Sequence, residues 1–391
     1  MKRYGQLYSK VYRFGNLLQA ASKACAGKRY RPDVSEFNFN LENEVLNMSA
    51  ELKTKTYRPG PYHSFYITDP KERLISAAPY RDRVVHHALC QVIEPLFENL
   101  FIFDTYANRN AKGSHRALDR CTFYCKQYKY VLKCDIQKYF PSIDHEILIR
   151  LIERRIKCPD TLWLVRTIIQ NSNPQEERIC YFPGDDLFTP AERAHGIPIG
   201  NLTSQYFANI YLNGFDHYIK ETLGCLAYIR YVDDFLIFAD DKQHLNHLKV
   251  VLQEYLNSLR LKLHPRKTVV SAIKDGVSFL GWQVFARHRR LKRATGLRIQ
   301  RKAKQLAKEF GLKEANIKDL KASVASWKGH LKHGNTVGLQ RKLLKPLNDI
   351  IIQHQITENE KNASRKNGKK TTIPIPAVRT VRTFVSSKKT D

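Results

Sequence analysis

The sequence predicts an α+β fold, with helices gathered towards both ends of the chain around a short antiparallel sheet. Residues 1–56 carry apolar side chains at helical spacing, and basic helices are expected again from residue 286. Between them, 130–136, 227–230 and 235–238 are short apolar runs of strand type, the last two joined by a tight acidic turn. Strands joined by hairpins, with helices segregated from them, are the α+β arrangement. A chain of 391 residues can bury one large core or two ordinary ones.

In 1–56 the expected inward positions are Leu41, Val45, Leu46 and Leu52, with Gly27 and Pro32 as punctuation, giving a helical N-terminal extension. After Pro59-Gly60-Pro61, the runs Phe65-Tyr66-Ile67 and Arg73-Leu74-Ile75-Ser76 flank Asp69-Pro70 and form a predicted hairpin with Lys71 and Arg73 near its tip. Val84, Val85, Ala88, Leu89, Val92, Ile93 and Leu96 mark a buried helix over 83–98. The strand 130–136 carries Asp135 at its end and leads to a helix from about Ser142. Residues 170–196, rich in Asn, Pro, Asp and Gly, read as a long loop. Further helices are expected over 203–223 and 241–259. Past Thr357, polar and basic residues replace apolar ones, so 357–391 is expected to be a disordered tail.

Lys and Arg number 66 against 37 Asp and Glu, a net charge of +29 that implies a polyanionic partner. Residues 286–391 carry +20 of it, so the partner's backbone is expected along that end; a solvated basic tail is the alternative. Eight cysteines show no Cys-x-x-Cys pair and no His at zinc spacing, and read as reduced thiols of a cytoplasmic protein. No run of eighteen apolar residues occurs, so neither a membrane span nor secretion is expected.

Asp135, Asp233 and Asp234 are the candidate chemical centre. Nucleotidyl transfer needs one cation to acidify an attacking 3′-hydroxyl and another to neutralise the leaving pyrophosphate, and carboxylates on adjacent strand ends supply both. An Asp-Asp pair alone is weak, because turns favour Asp; Asp185-Asp186 and Asp240-Asp241 are read as turn or cap residues. Asp233-Asp234 differs in having an apolar strand on each side, an aromatic before it and a second strand-end acid upstream.

On these residues the chain resembles the reverse transcriptases, over roughly 55–335. The resemblance implies a right-hand polymerase: an N-terminal extension over 1–56, fingers over 57–129, a palm with an antiparallel sheet over 130–285, a helical thumb over 286–356 and a basic tail over 357–391. Tyr231-Val232-Asp233-Asp234 looks like the family's aromatic-x-Asp-Asp motif, and the strand ending at Asp135 like its first metal-binding motif. By resemblance Asp135, Asp233 and Asp234, with Ile136 beside them, hold two Mg²⁺ ions, and Lys267 protonates the pyrophosphate. Lys71 and Arg73, assisted by Arg81 or Arg83, are implied to hold the triphosphate. Phe140, with Ile136, Ile199 and Gly200, lies in the implied nucleotide site and excludes a ribose 2′-hydroxyl. Gln205, Tyr231 and the turn Phe279-Leu280-Gly281-Trp282 are implied to hold primer and template. Without the resemblance Phe140 reads as a core aromatic, and the basic hairpin residues as solvated cations.

The segment Gly196-Ile197-Pro198-Ile199-Gly200-Asn201-Leu202-Thr203-Ser204-Gln205 departs from most retroviral and group II intron enzymes, which carry Gln at the place of Ile199 and Pro at that of Gln205. Ile-Gly-x-x-x-Ser-Gln is similar to the diversity-generating retroelement subfamily, and Gly329-His330-Leu331-Lys332-His333 looks like its thumb. That resemblance implies error-prone copying of a template RNA into cDNA from deoxynucleotides, an RNA–DNA hybrid product, and a small basic oligomeric accessory protein. The alternatives are a reverse transcriptase of an antiphage (antiviral) defence or CRISPR-associated system, and an RNA-binding protein that makes no DNA.

Overall fold

The computed structural model describes residues 2–68, 72–172, 179–312 and 315–368. It divides into two compact units, Met1–Arg289 and Arg290–Asp391. The first opens with four helices, Tyr8–Tyr12, Phe14–Ala24, Pro32–Phe39 and Leu41–Thr54. In the last of these Val45, Met48 and Leu52 fall on one face and are fully buried, whereas Leu46 is half exposed. Helical spacing predicts Leu46 as inward too, but at 100° per residue it lies off the stripe that its neighbour Val45 occupies.

Strands β1 (His63–Ile67) and β2 (Arg73–Ala77) form an antiparallel hairpin in which Ile67 faces Arg73. Lys71 lies outside the described residues. The helix Tyr80–Glu98 follows, burying Val84, Val85, Ala88, Leu89 and Ile93 as its spacing requires. The central sheet has four antiparallel strands, β3 (Tyr130–Asp135), β4 (Tyr228–Tyr231), β5 (Asp234–Ala239) and β6 (Val269–Ala272), in the order β4-β5-β3-β6. The Val131, Leu132, Phe235, Leu236 and Ile237 side chains of the two middle strands are completely buried. A smaller hairpin, β7 (Val277–Phe279) and β8 (Trp282–Val284), turns at Leu280-Gly281, both at positive φ as a tight hairpin turn needs.

Elsewhere the elements shift from their expected ends for local reasons. Ser142 closes a single turn, Tyr139–Ser142, and the long helix starts later, His145–Glu153, because Asp144 caps it by accepting the Ile147 N–H. The helix Leu202–His217 passes into a π-helical turn, Tyr218–Thr222. Asp241 caps the helix Lys242–Ser258, Asp240 accepts the Lys129 N–H, Asp186 accepts the Thr189 N–H in a local turn, and Asp185 pairs with Arg193. Asp241 is thus a helix cap and Asp185 and Asp186 are turn residues, whereas Asp240 ties its bend to the distant start of β3.

In the second unit the helices Arg293–Gly311, Ile317–Leu331 and Val337–Gly368 enclose a core that includes Ile299, Leu320, Leu331, Leu344 and Leu347. Asn316 and Asp319 form a reciprocal capping box on the second helix. The last helix corrects the expected disordered tail over 357–368. It continues because no Pro or Gly interrupts it between Pro346 and Gly368. Residues 369–391 lie outside the described residues. Among those described, no helix is long and apolar enough to cross a membrane.

His86, on the Tyr80–Glu98 helix, is fully buried and its Nδ1 has no hydrogen-bond partner. Burial pushes its imidazole down to about 3. The folded state therefore resists protonating it while the unfolded chain does not, so the stability present above pH ~6.5 falls as pH drops towards 3. At pH 5 the loss from this residue is about 2 kcal/mol. Denaturant titrations at pH 7.5 and pH 5 should show it, and His86→Leu, which cannot titrate, should lose less by about that amount.

Candidate active site

Asp135 ends β3 and faces Asp234, the first residue of β5, across an antiparallel pair. Asp233 occupies the two-residue turn between β4 and β5, and its carbonyl accepts the Ile136 N–H at 3.1 Å. The register of two short strands thus sets three carboxylate residues at one end of the sheet. Val232, the other turn residue, has φ +59°, an outlying conformation for a β-branched side chain.

Burial raises the Asp233 carboxyl, and the neighbouring Asp135 charge adds to the shift. Asp234 is pushed up to about 6, chiefly by burial, with Lys133 opposing. Lys267 Nζ donates to Asp135 Oδ1 at 2.7 Å, and Lys133 Nζ to Asp234 Oδ2 at 3.3 Å. Lys133 also donates to the Ser278 carbonyl at 2.8 Å, which ties the β7-β8 hairpin to the aspartates. Among the described residues no three His, Cys, Asp and Glu side chains converge as a ready-made metal group. The donor set still suits a hard divalent cation, since it is all carboxylate, and Asp234 Oδ1 is buried without a hydrogen-bond partner. A cation there would satisfy that oxygen and relieve the opposition between Asp135 and Asp233.

The other candidates divide. Arg73 is exposed on β2, near enough for its charge to act on Asp233. Arg81 instead pairs with Glu51 at 2.6 Å and Arg83 donates to the Ala78 carbonyl, so both brace the fold around their own helix. Phe140 packs half buried against the core, and its carbonyl accepts the Ile197 N–H. The Ile136 side chain is buried, which leaves only its main chain for any role at the site. The Ile199 carbonyl accepts the Ser76 N–H, docking the Ile199-Gly200 segment on β2. Gly200 has φ +123°, and a Cβ there would come within 3.1 Å of Ile75, so glycine permits this close approach. Gln205 lies half buried on the Leu202–His217 helix, and Tyr231 faces Asp234. Phe279 and Trp282 are fully buried anchors of their hairpin, with Leu280 and Gly281 at its tip.

A family description, reverse transcriptase (RNA-dependent DNA polymerase), matches residues 68–284, more than half of the chain. The chain belongs to the reverse transcriptase family. This reverse transcriptase is 26% identical to the protein YkfC of Escherichia coli K12 over 290 residues, which cover 64% of the chain and 73% of YkfC. It is 21% identical over 312 residues to LtrA, a group II intron-encoded protein of Lactococcus lactis, covering 63% of the chain and 50% of LtrA. A 91 kDa protein in the cob intron of Schizosaccharomyces pombe is 29% identical over 149 residues, 38% of the chain and 17% of that protein. The chain thus spans half or less of the intron proteins it matches. Reverse transcriptases act as RNA-directed DNA polymerases on an RNA template and nucleotides, generally with divalent metal ions.

Two further residues belong to this candidate site that the sequence does not single out. Lys133 links Asp234 to the β7-β8 hairpin. Arg230 is buried beneath the Asp233 turn, where it clasps Asp216 through Nε and Nη2 at 2.7 and 2.6 Å and donates from Nη1 to the Val232 carbonyl at 3.1 Å. The available signal was a charged residue directly after the apolar run Ala227-Tyr228-Ile229, followed again by Tyr231 and Val232.

Proposed function

We propose that the chain makes cDNA from an RNA template by two-metal nucleotidyl transfer at Asp135, Asp233 and Asp234. The strand register that sets Asp135 opposite Asp234, with Asp233 in the adjoining turn, is the observation that supports the reading. Two Mg²⁺ ions there would acidify the primer 3′-hydroxyl and neutralise the departing pyrophosphate. Lys267, whose Nζ donates to Asp135, is the proposed donor of a proton to the pyrophosphate. Arg73, with Lys71, holds the triphosphate by charge-assisted hydrogen bonds. Residues 57–129, 130–285 and 286–356 serve as fingers, palm and thumb. The decisive experiment is primer extension on an RNA template with Mg²⁺ or with EDTA; no Mg²⁺-dependent DNA product would end the proposal.

Phe140 is the proposed barrier to the ribose 2′-hydroxyl. Phe140→Ala should permit ribonucleotide incorporation, measured as the ratio of rNTP to dNTP use. An unchanged ratio would move the barrier elsewhere.

The subclass we propose is that of the diversity-generating retroelements, which feed an error-rich cDNA into a variable gene and work with a small basic accessory protein. The support is the pattern Ile199-Gly200 followed by Ser204-Gln205. A branched apolar side chain at 199 offers no hydrogen bond with which to check the nascent pair, and apolar discrimination is limited to ~1–3 kcal/mol. Ile199→Gln should lower errors opposite template adenine a few-fold to about tenfold, the effect of one net hydrogen bond. Ile199 is only partly buried, so the new amide should not be stranded. Sequenced cDNA from both proteins on one RNA decides it, with equal adenine error spectra counting against the proposed role.

A further inference from the structure

A cavity of about 560 Å³ opens in the first unit where β3 begins, five residues or about 17 Å along the strand from Asp135. Its walls come from the end of the Ser114–Cys125 helix and the residues after it, the start of β3, the end of β6 and the turn 285–288. Tyr128, Tyr130 and Phe285 are half buried within it, and Lys129, Lys274 and Arg287 are exposed at its rim. None of the described residues lining it is acidic. Asp240 and Asp275 are neighbours but not part of the wall: Asp240 accepts the Lys129 backbone N–H, and Asp275 follows Lys274 in the chain. The Phe285 and His288 rings stack with centroids 4.4 Å apart, held by the Phe285 N–H donating to the His288 carbonyl. His288 Nε2 is buried and has no hydrogen-bond partner.

This composition selects its occupant. Three rim cations repel a metal ion and attract phosphate, while the aromatic rings favour a flat ring over an aliphatic chain. The volume lies in the range of built small-molecule sites.

We propose that this cavity binds one nucleotide unit, its base among Tyr128, Tyr130 and Phe285 and its phosphate on Lys129, Lys274 and Arg287. The unit comes either as a free nucleotide or as part of single-stranded RNA. The site is separate from the aspartate centre, and its occupancy does not depend on polymerisation.

The test uses the full chain in EDTA, with AMP and an eight-nucleotide oligoadenylate as probes. Lys129→Glu/Arg287→Glu should weaken binding of at least one probe about tenfold or more, and Phe285→Ala about fivefold to tenfold. Lys10→Glu/Lys53→Glu, an equal charge change at exposed sites far along the chain, should stay within about threefold. Weakened AMP binding identifies a free nucleotide; an effect on the oligonucleotide alone identifies an RNA segment. Photolabelling of the unaltered protein with 8-azido-AMP or an azido-substituted oligonucleotide guards against a variant that fails to fold. Adducts on 128–130 or 285–288 support the proposal. Pocket and control variants that behave alike, or adducts only elsewhere, overturn it.

Discussion

Asp233→Asn/Asp234→Asn should abolish Mg²⁺-dependent DNA synthesis, with a loss of about a thousandfold or more, while RNA binding stays within a few-fold. The magnitude follows from the several kcal/mol that metal-assisted charge stabilisation contributes, at about 1.4 kcal/mol per factor of ten. RNA binding should persist because phosphate contacts come from cations, and residues 286–391 hold most of the net positive charge. The substitutions are nearly isosteric, and removing like charge from half-buried acids should leave the melting temperature unchanged or raised. Primer extension, RNA filter binding and thermal melting on one preparation separate these effects. Synthesis retained at more than about a tenth of the normal rate would refute the assignment of these acids as metal ligands.

Arg230→Met should destabilise the first unit by about 3–5 kcal/mol, because it strands Asp216 as an uncompensated buried charge. Both side chains are essentially inaccessible, at 1% and 0% exposure, and Tyr228 donates to the same carboxylate. Adding Asp216→Leu should recover much of the loss, since a well-packed apolar pair can replace a buried ion pair. The effect on synthesis has a second source. Val232 sits at φ +59°, a conformation costing ~1–2 kcal/mol for an L-residue, and the Arg230 guanidinium holds its carbonyl there. Arg230→Lys keeps the charge but not the fork, so it should slow kcat by about tenfold at full folding, one charge-assisted hydrogen bond's worth. A double-mutant cycle by denaturant titration, beside single-turnover rates, tests both; additive stabilities would remove Asp216 as the partner that matters.

How much of this was legible beforehand varied with the range of the interaction involved. The pairing of β4 with β5 follows from two apolar runs and a two-residue turn, a local pattern. The turn at Asp186 and the cap made by Asp241 are equally local, and so were readable. The error at Leu46 arose because a helix offers several apolar residues and only packing decides which become the stripe. The expected role of Arg81 met the same obstacle: a cation in sequence carries no information about whether Glu51 lies beside it. The helix through 357–368 shows that polar composition lowers helix stability without forbidding continuation of a helix already anchored by Leu343, Leu344 and Leu347.

The sequence by itself determined the α+β class, the basic character of the C-terminal region and one acid at a strand end with two more in a hairpin turn, since periodicity, charge and turn chemistry are properties of neighbouring residues. Only the tertiary structure decided that Asp135 faces Asp234, that Lys267 and Lys133 sit on those carboxylates, and that Arg230 braces the strained turn from beneath. These contacts join residues up to 132 positions apart in the chain, or depend on which face a strand turns inward. Strand register and burial fix them, and both follow from the packing of the whole core rather than from any one segment.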